Sequence, residues 1–140
     1  MLIDAKNLIV GRFATIAAKK ALLGEKVDVI NCEKAVISCS RENVLAKYKR
    51  LRAMGAPKKG PFLKRMPDRF VKRIIKGMLP MSRDRGKKAL KNVKCHIGVP
   101  EQFKDKKADS VAGANADKLM TLKKVSVGEV CKLLGAKWNE

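Results

Sequence analysis

The chain has 140 residues, enough for one ordinary domain of roughly 100–150 residues that buries about two thirds of its unfolded surface. A hydrophobic fraction of 46% excludes a wholly disordered tail. The charge excludes a neutral surface: 33 Lys and Arg stand against 13 Asp and Glu, a net +20, so the compact chain repels itself and calls for a polyanionic partner.

Residues 2–5 open the chain as a short apolar strand. Gly11 precedes a helix over 12–23, stopped by Gly24. Arg12, Thr15 and Lys19 share one face of it, and the rest of its circumference is apolar and alanine-rich, suited to lying close on a sheet. Residues 26–31 alternate and are β-branched, as a second strand should be, and 35–38 form a third. Ser40 is the expected N-cap of a helix over 41–54 with Val44, Tyr48 and Leu51 as its apolar stripe; Gly55-Ala56-Pro57 ends it. Residues 55–67 read as an extended loop, and Pro67 opens a third helix running to about residue 79, just before Pro80. A short basic fourth helix is expected over 82–92, weakened by Gly86. Strand-like alternation over 93–99 gives way, after Phe103, to an extended or loosely ordered connection. Ser126 and Glu129 have the spacing of a capping box. Val127, Val130, Cys131 and Leu134 give the last helix one apolar face, and Gly135 stops it. Strands alternating with helices predict a single α/β domain over 1–140 with a mainly parallel sheet and a right-handed crossover from the first strand to the second.

The charge lies in one place. Residues 47–94 carry eighteen Lys and Arg and only two acids, Asp68 and Asp84, a surplus of +16, while each flank carries +2. A solvated face would mix both signs. In the third helix Arg69, Lys72, Arg73 and Lys76 (i, i+3, i+4, i+7) fall on one narrow arc, opposite Phe70, Val71, Ile74, Ile75 and Met78. One face can anchor in a core while a row of cations points outward to phosphates. Lys58, Lys59, Lys64 and Arg65 add charge from the loop, where Gly60 and the neighbouring prolines shape the backbone to follow another surface. Arg83, Arg85, Lys87 and Lys88 continue the patch beyond the third helix, and Lys47, Lys49, Arg50 and Arg52 precede it. Arg12 and Lys19 widen the footprint.

Other chemistries find little support. The longest run without a charged residue is seven, over 110–116, far short of the ~20 apolar residues of a membrane span. Asp4 and Arg12 interrupt any secretory signal pattern. Cysteines at 32, 39, 95 and 131, with no C-x-x-C, read as core residues of a reducing, cytoplasmic compartment. His96 stands alone, without a nucleophile, a carboxylate pair or a metal-ligand set, and reads as structural. No phosphate-binding G-x-x-x-x-G-K-[ST] is present. Neither an enzymatic role, a cofactor nor a small-molecule substrate is therefore expected. Few of the six aromatic residues are free to stack on bases, which favours recognition of nucleic-acid backbone and shape. A nucleic-acid-modifying enzyme and a general nucleic-acid-compacting protein stay open as alternatives on these grounds.

Ile3-Asp4-Ala5, Gly11-Arg12, the strand with Glu33-Lys34-Ala35, and above all Gly60-Pro61-Phe62 leading to Lys76-Gly77-Met78-Leu79-Pro80 resemble the ribosomal protein L-thirteen family of the large subunit. The resemblance runs from residue 2 to about 103 and looks archaeal rather than bacterial. It implies a three-layer α/β/α fold around a four-stranded, mainly parallel sheet, carrying the basic helix-and-loop segment of 47–94 and a C-terminal extension over 104–140 with its helix. It also implies a non-enzymatic role: binding large-subunit rRNA and supporting subunit assembly and translation beside neighbours such as ribosomal protein L-three. Family members usually carry Arg where this chain has Lys76, which keeps the charge but loses the planar fork.

Overall fold

The computed structural model describes residues 1–140 except 57, 110, 112, 139 and 140. In chain order the elements are β1 (Leu2–Asp4), α1 (Val10–Leu22), β2 (Val27–Ile30), a 3-10 turn (Cys32–Lys34), β3 (Val36–Ile37), α2 (Arg41–Ala53), α3 (Pro67–Gly77), α4 (Asp84–Asn92) and β4 (Val93–Cys95). After two further 3-10 turns come β5 (Val125–Ser126) and α5 (Val127–Leu133). No described helix is long and apolar enough to cross a membrane. Pro57, expected to help close α2, lies outside the described residues.

β1, β2 and β4 pair in parallel in the order β1-β2-β4, with Ile3 opposite Val29 and Val29 opposite Cys95. Ile3, Val27, Val29 and Val93 are wholly buried, as the strands of a covered parallel sheet should be. α1 connects β1 to β2 and buries Phe13, Ala14, Ala17, Ala18 and Ala21; its small side chains let it lie close to α3 and α4. It starts at Val10, two residues earlier than expected, with Gly11 inside its first turn.

The parallel sheet has three strands, not the four expected. β2 has partners on both edges, so the segment that follows it cannot pair with β2. Asn31 adopts a left-handed conformation (φ 53°), the 3-10 turn follows, and the chain leaves the sheet. β3 pairs instead with β5, antiparallel, as a separate ribbon. The outer edge of β1 is covered by the long connection: the Asp109 amide donates to the Leu2 carbonyl at 2.7 Å, and the Leu2 amide donates to Asp109 Oδ2 at 2.9 Å. That connection, expected to be extended or loosely ordered, is tied to the sheet at this point. Asn31, almost fully buried, joins the strand ends: its amide donates to the Gly98 carbonyl at 2.9 Å, its side-chain Nδ2 to Asp4 Oδ1 at 2.8 Å.

Helix ends differ from expectation in detail. Ser40 occupies the N-cap of α2 but makes no side-chain cap bond. At α5 the Ser126 hydroxyl accepts from the Glu129 amide at 3.1 Å. The Glu129 carboxylate accepts from Arg41 Nε at 2.6 Å, tying α5 to the start of α2. The C-terminal extension is part of the core: Val125, Val127, Val130, Cys131 and Leu134 belong to the same buried cluster as Ile3, Phe13 and Val71.

α4 begins at Asp84, after a turn in which the Arg83 amide donates to the Pro80 carbonyl. Gly86, expected to weaken this helix, is what lets it pack: a Cβ there would sit 2.2 Å from the Pro80 carbonyl oxygen. Gly86→Ala gains about 1 kcal/mol of helix propensity but forces backbone apart, at the upper end of the ~1–3 kcal/mol typical of overpacking or beyond it. The clash wins, and a net loss of about 2 kcal/mol is expected in urea unfolding; a variant as stable as the parent would contradict it.

Candidate nucleic-acid interface

α3 is built to anchor and to display. Pro67 starts it without needing an amide donor, and Asp68 sits in its first turn, where a carboxylate suits the helix dipole. Phe70, Val71 and Ile75 are buried and Ile74 is half-buried, packing the helix against α1, α5 and β4. Phe70 also meets Tyr48 of α2, ring centroids 5.0 Å apart. Met78, expected on the buried side, is 40% exposed just past the helix end. On the outward face Arg69, Arg73 and Lys76 are exposed and Lys72 is half-buried.

These four cations and Lys64 from the preceding loop line one groove of about 740 Å³. Phe62, Leu79, Met81 and Leu90 supply its apolar surface. No carboxylate lines it among the described residues. Arg73 also holds the loop, since its Nη1 donates to the Phe62 carbonyl at 3.2 Å. Burial raises the Tyr48 phenol above its usual range, Cys131 adds to the shift, and the Arg73 guanidinium opposes it.

The other candidate cations sit on separate elements and do not line this groove. Arg52 and Arg65 line a smaller hollow beneath the loop; Lys58 and Lys59 are exposed on it. Lys47, Lys49 and Arg50 are exposed on α2; Arg12 and Lys19 on α1; Arg83, Arg85, Lys87 and Lys88 at the start of α4. Several spend a donor internally. Arg12 bonds the Gly113 carbonyl, Arg52 the Leu134 carbonyl at 3.3 Å, and Arg85 the Leu22 carbonyl at 3.4 Å. Lys87 pairs with Asp84 at 3.2 Å. A guanidinium has five N–H donors, so each arginine keeps others for a ligand while its internal bond fixes its direction.

The groove's apolar residues were not legible as a site. Leu79, Met81 and Leu90 carry no spacing that marks a site, and only Phe62 within a basic Gly-Pro loop could have signalled the groove.

Among the described residues no group of three or more His, Cys, Asp or Glu side chains could hold a metal ion. His96 sits with its Nε2 3.3 Å from Asp28 Oδ1 and its ring against Phe103, a satisfied structural position. A side-chain hydrogen bond with Cys95, then burial, push the Cys32 thiol well above the usual range. Burial, helped by Asp68, pushes Cys131 up to about 12. Both stay protonated at neutral pH and are poor nucleophiles.

The family model of Ribosomal protein L13 matches residues 1–102 of this chain. Relatives named large ribosomal subunit protein uL13 align over nearly its whole length. The protein from Methanococcoides burtonii is 43% identical over 97% of this chain and 98% of its own length. That from Methanosarcina barkeri is 42% identical over the same shares, and that from Methanococcus maripaludis 41% identical over 99% of both.

Proposed function

Since the chain belongs to the ribosomal protein L13 family, structural components of the large ribosomal subunit and not enzymes, we propose that its basic surface binds large-subunit rRNA and helps it fold during assembly. The observation that carries this reading is the row of α3 cations on a groove whose described lining includes no carboxylate. An anion arriving there meets attraction alone, and α3's buried face holds the row rigidly enough to set register on a phosphate backbone. Arg65, Lys58, Lys59, Arg83 and Arg85 extend the contact toward phosphates of neighbouring RNA segments, with Arg12 and Lys19 at its margin.

The whole chain acts as one domain in this reading. The buried cluster running from Ile3 to Leu134 supports that. The packing of α1 against β2 and of α3 and α4 against β4 supports a layered arrangement of helices on the sheet. A neighbouring ribosomal protein such as L-three takes a face that the RNA leaves free.

The test is co-sedimentation of the full chain with large subunits through gradients of rising salt, together with titration of large-subunit rRNA. If about eight of these side chains meet phosphates, log affinity falls against log salt with a slope of roughly −6 to −7. A flat salt response, or duplex DNA competing as well as rRNA, would overturn the proposal.

A further inference from the structure

Phe62 is set apart from the other aromatic residues. Phe13 and Phe70 are buried, and Tyr48, Phe103 and Trp138 are half-buried, whereas Phe62 is 64% exposed. Leaving so much apolar ring in water forgoes hydrophobic stabilisation, yet the loop that carries it is held in place. The Lys59 and Gly60 amides both donate to the Ala56 carbonyl at 3.1 Å, and Arg73 holds the Phe62 carbonyl. Gly60, at φ +82°, lets the chain double back until a Cβ there would lie 3.1 Å from the Phe62 ring. The ring is thus presented by a shaped backbone.

Phe62 also lines the cationic groove, together with the apolar side chains of Leu79 and Met81. At about 740 Å³ the groove falls within the ~300–1,000 Å³ of sites that enclose small organic groups. Its occupant must satisfy two demands at once: negative charge for the cations, and a flat apolar face for the ring. A phosphate alone meets only the first, and an apolar side chain only the second. A nucleotide swung out of its stack meets both, because every base offers a π-face.

We propose that this groove captures one unstacked nucleotide of an RNA strand, its base against the Phe62 ring and its flanking phosphates on Lys72, Arg73 and Lys76. This rests on the rRNA-binding reading and adds to it a site that recognises a base, where the surrounding surface reads only backbone.

The experiment uses the full chain and two synthetic RNA hairpins, identical except that a single bulged position carries 2-aminopurine or is abasic. Both have the same phosphates, so any difference belongs to the base. Wild type should bind the base-bearing hairpin about tenfold more tightly, with a saturable change in 2-aminopurine emission. Phe62→Leu keeps apolar bulk without the ring. It should bind both hairpins equally, at the wild-type affinity for the abasic one, while Phe62→Tyr restores the preference. The salt slope should be the same for all three proteins, and their melting temperatures should agree because position 62 is exposed. Equal binding of the two hairpins by wild type, or a preference retained by Phe62→Leu, overturns base capture and leaves the phosphate reading standing. Salt-independent binding of both hairpins would instead remove the reading on which it rests.

Discussion

Replacing Arg69, Lys72, Arg73 and Lys76 together with glutamate is expected to abolish incorporation into large ribosomal subunits. The four reversals remove eight units from the net +20 and put carboxylates into a groove that has none among its described lining. Each phosphate contact contributes roughly 0.7–0.9 to the slope of log affinity against log salt, so losing four flattens it by about 3. Across the decade of salt below 1 M that is about a thousandfold in affinity, before any repulsion from the new acids. The comparison that isolates position from charge is an equal number of reversals on α2 and the loop, at Lys47, Lys49, Lys58 and Lys59, which are exposed but do not line the groove. Those should cost less. The fold should survive in both variants, since relieving self-repulsion offsets the lost Arg73 bond to the loop; melting temperatures at low salt check this. Incorporation untouched by the α3 reversals would remove the phosphate-binding role from α3.

Why α3 could be read from residue order alone, while the groove could not, follows from where each property resides. The cation row is a property of helical periodicity: Arg69, Lys72, Arg73 and Lys76 share a face once residues 67–77 form a helix, and the buried Phe70, Val71 and Ile75 make them do so. The groove is a property of tertiary approach. It exists because a loop pinned by Arg73 brings Phe62 beside α3, and because Leu90 of α4 lines the same hollow as Leu79. No spacing along the chain encodes those meetings. The inward bonds of Arg12, Arg52 and Arg85 to carbonyls more than sixty residues away are invisible for the same reason.

The sheet divides along a similar line. β1, β2 and β4 announce themselves by β-branched alternation or by apolar runs, and their parallel order follows from helices lying between them. β3 and β5 are two residues each, too short to carry a period, and their pairing is decided by competition for edges. With both edges of β2 occupied and Asp109 on the edge of β1, a fourth parallel strand has no place beside those two. The left-handed Asn31 is the local switch that redirects the chain. An asparagine tolerates that conformation, but nothing in the sequence around it marks the turn.

Leu134→Ala should cost about 2–5 kcal/mol, a large share of the ~5–15 kcal/mol that holds a domain together. Leu134 is 1% exposed and packs in the same cluster as Phe13, Val71 and Ile75. Truncating it leaves a cavity bounded by elements from both ends of the chain. With a urea dependence of about 1–3 kcal/mol per molar, the unfolding midpoint should fall by one to several molar, or the variant should fail to fold at all. Leu122, only twelve positions earlier, is the control: at 97% exposed it buries almost nothing, and Leu122→Ala should leave the midpoint unchanged. The contrast distinguishes two views of the segment beyond Phe103. If it were an appendage added to a finished domain, both leucines would be dispensable. If the C-terminal segment is a structural wall, only Leu134 matters, and its truncation removes the packing beneath the main-chain carbonyl that Arg52 grips, loosening α2 where it meets the basic loop. Weaker RNA binding with a flatter salt dependence in a partly destabilised Leu134 variant, with Leu122→Ala like wild type, would tie the core to the interface.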